Sequence, residues 1–174
     1  PSDTGVADLL ETENHMKYLN GYDDGTFRPE NNMTRAEAAQ MFYNLLLDKN
    51  VSGNSVFYDV SRDAWYYDAV TALANMGIIN GKGSGMFDPD GEITRAEFTA
   101  IAMRFTDIEV DSAESFADVP PQHWAAEDIA DAAALGWISG SGDGNFSPDT
   151  AITRGAVVKI VNNMLGRKAD TEYV

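Results

Sequence analysis

Apolar residues recur at i, i+3, i+4 and i+7 in three places along the chain: Ala38, Met41, Phe42 and Leu45; Phe98, Ile101, Ala102 and Phe105; Val157, Ile160, Val161 and Met164. That spacing is one face of an α-helix. Each face follows a Thr-Arg pair, in "MTRAEAAQMF", "ITRAEFTAIA" and "ITRGAVVKIV". Two further helical stretches are expected, from about Asp63 to Met76 and from about Gln122 to Leu135. Each stops at a glycine, Gly77 or Gly136, that can take the left-handed conformation past a helix end.

Aligning Thr34, Thr94 and Thr153 exposes three copies of one unit without gaps. "NGYDDGTFRPENNMTR", "NGKGSGMFDPDGEITR" and "SGSGDGNFSPDTAITR" match at Gly21, Gly81 and Gly140, at Phe27, Phe87 and Phe146, and at Pro29, Pro89 and Pro148. Their Gly, Asp and Asn content predicts tight turns or short hairpin-like loops. Upstream, "FYDVSRDAWYYDAV" and "FADVPPQHWAAEDI" agree, but the first copy has Gly5 where the others have Trp65 and Trp124. It carries "LLETENHMKYL" in place of the ordinary helix, as a divergent terminal repeat does. The fold class is therefore mainly α, three tandem helix–Gly-rich loop–helix repeats in a single domain over 1–174. The repeats are expected at 1–50, 51–110 and 111–174, with polar linkers after Asp48 and Thr106.

Thr-x-x-Glu ahead of an apolar helix is a capping box. Thr34 with Glu37 and Thr94 with Glu97 fit it, while Thr153 faces Ala156 and has only half of one. Capping does not explain Arg35, Arg95 and Arg154, which sit where the helix dipole disfavours a cation. Two readings stand level: each Arg pairs with a carboxylate of a neighbouring repeat, or it grips an anion together with free helix amides. Trp65 and Trp124 read either as core residues or as platforms for a sugar ring. Asp59 and Asp118 read as turn or cap residues.

Composition narrows the classes. The chain has 174 residues, 44% hydrophobic and 23% charged, which is globular. A net charge of −16 argues against nucleic acid, whose phosphates demand Lys and Arg, and against anionic membrane surfaces. No apolar run reaches the ~18 residues of a membrane span, so membrane insertion is not expected. Cysteine is absent, which removes disulfides and thiolate chemistry. The start shows no signal peptide and no initiator Met, so the chain is expected to be part of a longer polypeptide. His15 and His123 are the only histidines, too far apart for a zinc motif. Asp143, Asn145, Ser147 and Asp149 have calcium-loop spacing, but Pro148 intrudes and Arg154 stands where the closing Glu belongs. No metal, cofactor or catalytic residue is expected.

Phe-x-Asp-Val, a Trp eight residues after the Phe, a Gly-Ile-Ile-Asn-Gly turn, Asp-Gly-x-Phe-x-Pro and Ile-Thr-Arg-Ala-Glu, in that order, resemble the S-layer homology repeat. The likeness covers nearly the whole chain. It implies a pseudo-threefold unit with one helix of each repeat in a central bundle. It implies non-covalent anchoring of an exported bacterial protein to the cell wall or S-layer, through secondary cell-wall polysaccharide held in grooves between repeats. The sugar is expected to be acidic and pyruvylated. Carried over by motif, the glycan-binding residues are Arg35, Arg95, Arg154, Trp65, Trp124, Gly21, Gly81 and Gly140. The alternative is a cell-surface protein–protein docking module whose grooves have drifted. The missing first Trp and "TRGA" mark the Arg154 junction as the weakest groove.

Overall fold

A computed structural model describes residues 5–167. The outer ends of the first and third expected repeats lie outside them. Five helices follow in order: α1 Arg35–Leu45, α2 Tyr67–Asn75, α3 Arg95–Met103, α4 Ala126–Ala134 and α5 Arg154–Met164. Among the described residues there is no sheet, only isolated bridges, and no helix is long and apolar enough to cross a membrane.

The helices begin for local reasons. Thr34 and Thr94 each accept the amide three residues on (3.1 Å at both), and Glu37 and Glu97 reach back to the threonine amides. Thr153 accepts from Ala156 at 3.3 Å, and no side chain returns the bond. Thr94→Ala should therefore cost about 1 kcal/mol, and Thr153→Ala less, since no box is lost. Unequal shifts in urea midpoint are the expected result, and equal shifts would remove the capping account.

Helices α2 and α4 start about four residues later than the periodicity suggested. Arg62–Tyr66 and Pro121–Ala125 form turns instead, and the N-caps Tyr66 and Ala125 offer no side-chain acceptor. Their ends are as expected. Gly77 and Gly136 lie at φ 74°, and the amides of Ile78 and Trp137 bond back to Leu73 and Ala132, closing a helix-terminating loop. Among the described residues the first copy contains no helix before α1. Residues 5–34 run as turns and extended chain, tied to the end of α1 by the Leu10–Leu46 bridge.

Helix α2 packs on α1, and α4 on α3. The predicted faces point inward: Met41, Phe42, Leu45, Phe98, Val157, Val161 and Met164 are all buried in one core. Phe42 stacks on Phe98 (centroids 5.2 Å) and tilts against Phe105 (4.9 Å). Each such side chain contributes roughly 1.5–3 kcal/mol by leaving water. The residues just before the Thr-Arg pairs tie the copies together. Met33 donates to Ile152, Ile152 to Ile93, and Ile93 to Met33, a closed ring of three backbone hydrogen bonds of 2.9–3.1 Å.

Candidate functional site

Each Thr-Arg helix points its arginine into the glycine loop of another copy. Arg35 Nε donates to the Phe87 carbonyl (2.8 Å), Arg95 Nε to Phe146 (2.8 Å) and Arg154 Nε to Phe27 (3.0 Å). The same guanidinium groups lie over the Phe87, Phe146 and Phe27 rings at 4.8, 4.5 and 4.7 Å. Two arginines go further. Arg35 also reaches the Asn80 carbonyl and the Glu97 carboxylate. Arg154 likewise reaches the Asn20 carbonyl and, at 3.4 Å, Glu37. These are the inter-repeat carboxylate pairs of the first reading. The glutamates, expected only as caps, have a second task in joining copies.

Arg95 is different. Position 156 is Ala where the other copies have Glu, so Arg95 keeps its carbonyl bond and has no ion pair among the described residues. Burial pulls the Arg35 and Arg95 pKa values down. Glu97, Asp88 and Asp59 oppose this at Arg35, whereas only Asp118 does so at Arg95. Both groups stay cationic.

The glycine loops are shaped by contact. A Cβ on Gly81 would lie 2.5 Å from the Met86 carbonyl oxygen and 2.6 Å from the Phe57 ring. On Gly140 it would meet the Asn145 oxygen at 2.6 Å and Phe116 at 2.8 Å, and on Gly21 the Thr26 oxygen at 2.8 Å. Asp59 and Asp118 are not helix caps. Asp59 accepts the amides of Phe87 and Asp88 (2.8 and 2.7 Å), and Asp118 those of Phe146 and Ser147 (2.8 and 2.7 Å). They clamp the loops at Asp88 and Ser147, which sit at φ 60° and 59°. The Phe146 amide, and after it Ser147, hold the Asp118 carboxyl below its usual range.

Trp65 and Trp124 precede their helices and are 62% and 61% exposed, so they are not core residues. Three grooves result. The first joins Arg35, Gly81, Glu97 and Trp124. Another joins Arg154, Gly21, Glu37 and Trp65. The third holds Arg95 and Gly140 with Ala156, Lys159 and Thr153, and neither exposed Trp. The Arg154 groove has a Trp, which removes the geometric premise for expecting it to be the weakest. Both departures, the missing first Trp and the missing third Glu, fall at Arg95, while Arg154 is buried and well bonded. Gly155 does not loosen that turn either, since its amide bonds the Pro29 carbonyl at 2.9 Å. The family likeness implies grooves between adjacent repeats, each built from two copies. In the structure the Arg35 groove takes its arginine, its glycine loop and its Trp from three different copies. Lys82, Arg104, Asp149 and Lys159 also line the grooves and were not singled out from sequence. Stacking the copies column by column around the three arginines would have marked Lys159, which aligns with Gln40 and Ala100. Among the described residues no cluster of side chains could hold a metal.

A sequence model of the S-layer homology domain matches residues 15–39, 56–99 and 115–158. Cell surface glycoprotein 1 of Acetivibrio thermocellus is 37% identical over 96% of this chain. The cellulosome-anchoring protein of the same organism is 36% identical over 90%, and the surface-layer 125 kDa protein of Lysinibacillus sphaericus 37% over 78%. The chain spans 8%, 37% and 12% of these relatives. The matches place it at the bacterial cell surface or wall. With three matched segments that each contain a glycine loop and a Thr-Arg pair, the chain belongs to the S-layer homology domain family.

Proposed function

We propose that the chain anchors an exported protein to the cell wall without a covalent bond, by binding secondary cell-wall polysaccharide in its grooves. The observation that carries this reading is the pairing of an exposed Trp with a fixed arginine and a glycine turn in the Arg35 and Arg154 grooves. An indole face covers the apolar side of a pyranose ring, and the polar groups beside it orient the hydroxyls. The chain acts as a binding module. Its groove glutamates are engaged with arginines, which leaves them poorly placed for acid–base work. The repeats, at 1–50, 51–110 and 111–174, are arranged with pseudo-threefold symmetry around the Thr-Arg helices, and the ring of hydrogen bonds through Met33, Ile93 and Ile152 supports that arrangement. The polymer is acidic, with pyruvate ketals, which suits local cations in a chain of net charge −16.

Sedimentation with bacterial walls tests the proposal. The chain should pellet with intact walls and be released by purified wall polysaccharide. Equal pelleting with peptidoglycan stripped of that polymer would contradict it.

A further inference from the structure

Two asparagines of the chain precede glycine, in Asn20–Gly21 and Asn80–Gly81. Both pairs are exposed. The third copy has Ser139–Gly140 in the same place. Among the described residues the side-chain amides of Asn20 and Asn80 have no hydrogen-bond partner, whereas those of Asn31, Asn32, Asn44 and Asn75 are each engaged. The backbone amides of Gly21 and Gly81 have no acceptor among them either.

An asparagine before glycine can close into a ring, because glycine has no side chain to crowd the approach to its nitrogen. That nitrogen loses its proton to hydroxide and bonds to the asparagine Cγ. The Cγ–Nδ2 bond breaks, and the side-chain nitrogen leaves as ammonia, taking a proton from water. Water then opens the five-membered imide. Attack at Cγ gives aspartate, and attack at the former backbone carbonyl gives isoaspartate. As the glycine nitrogen loses its proton, negative charge develops on the asparagine carbonyl oxygen. Arg35 Nη2 donates to that oxygen of Asn80 at 3.0 Å, and Arg154 Nη2 donates to that of Asn20. Both arginines are buried and held by further bonds. A fixed cation aimed at developing charge lowers the barrier. The same donation polarises the carbonyl that water attacks on the way to isoaspartate.

We infer that Asn20–Gly21 and Asn80–Gly81 are sites of spontaneous succinimide formation, primed by Arg154 and Arg35, at which the chain ages to isoaspartate and aspartate. In isoaspartate the carbonyl that the arginine held becomes a free carboxylate, and the main chain gains a methylene. Gly81 is wedged between the Met86 carbonyl and the Phe57 ring, so the lengthened chain has to shift its loop. The two Trp-walled grooves are therefore the ones that age, and the Arg95 groove, with Ser139, is exempt. This chemistry is independent of what fills the grooves.

Peptide mapping by mass spectrometry, on the folded chain aged in mildly alkaline buffer at body temperature, tests it. Synthetic peptides of residues 17–24 and 77–84 supply the rates without the fold. A fixed loop ordinarily slows ring closure, so activation by the arginines predicts that Asn20 and Asn80 convert in the folded chain at least as fast as in the peptides. Isoaspartate should be the larger product. Arg35→Met, its fold checked by a urea melt, should slow Asn80 several-fold and leave Asn20 unchanged, since Arg154 still holds the Asn20 carbonyl. Conversion slower in the folded chain than in the peptides, aspartate without isoaspartate, or a folded Arg35→Met chain in which Asn80 reacts as fast as in wild type would each overturn the inference. Where Arg35→Met does not fold, the wild-type rates against the peptides decide.

Discussion

Arg35→Ala is expected to lower the unfolding free energy by about 3–5 kcal/mol, the range for breaking a buried pair by removing one partner. Arg95→Ala, at the equivalent position of the next copy, should cost only about 1–2 kcal/mol. Arg35 is 5% exposed, and its guanidinium serves the Phe87 carbonyl, the Asn80 carbonyl and Glu97 at once. Truncation strands the two carbonyls and takes from Glu97, whose side chain is 17% exposed, its buried cation, leaving it the Thr94 amide and Lys82 at 3.4 Å. Arg95 loses one carbonyl bond. Arg154→Ala should fall between, because Glu37 is farther away, at 3.4 Å, and its side chain is 32% exposed. In the double variant Arg35→Ala/Glu97→Ala the loss should be smaller than the sum of the two single losses. Urea denaturation at unchanged slope measures these variants and the single Glu97→Ala. Equal losses at Arg35 and Arg95 would show that the glutamate pair adds nothing.

The second large effect is on binding. Trp65→Ala and Trp124→Ala should each weaken wall-polysaccharide binding by about 2 kcal/mol or more, roughly thirtyfold, as central aromatic anchors do. Stability should move by no more than about 0.5 kcal/mol, because most of each indole is in solvent. Trp137→Ala provides the contrast. That residue is 1% exposed, and its loss should cost about 3–5 kcal/mol of stability. Trp65→Ala and Trp124→Ala variants that unfold early while keeping full affinity would mean these side chains are structural.

The helices were legible because their signals are local. The face of Ala38, Met41, Phe42 and Leu45 is a matter of spacing, and Thr34 with Glu37 is a pair three residues apart. The late start of α2 was not legible, since Asp63, Trp65 and Tyr66 fit helical spacing and nothing in their composition breaks it. Trp65 exposes the limit of reasoning from residue type: a large aromatic next to a helix is usually covered, and here it is open. The grooves were least legible. Arg154 meets Phe27 and Asn20 across more than a hundred residues of chain, so sequence order says little about which loop an arginine enters. The motif carried Arg, Gly and Trp as a set. It could not show that one groove draws them from three different copies, nor that two separate departures meet at Arg95.

The most direct test of polysaccharide recognition in the grooves is the indole N–H region of a ¹⁵N NMR spectrum during titration with wall-polysaccharide oligosaccharides. Three tryptophans give three signals. The account predicts that the Trp65 and Trp124 signals shift or broaden in step with saturation. Saturable binding that leaves both signals in place would contradict it.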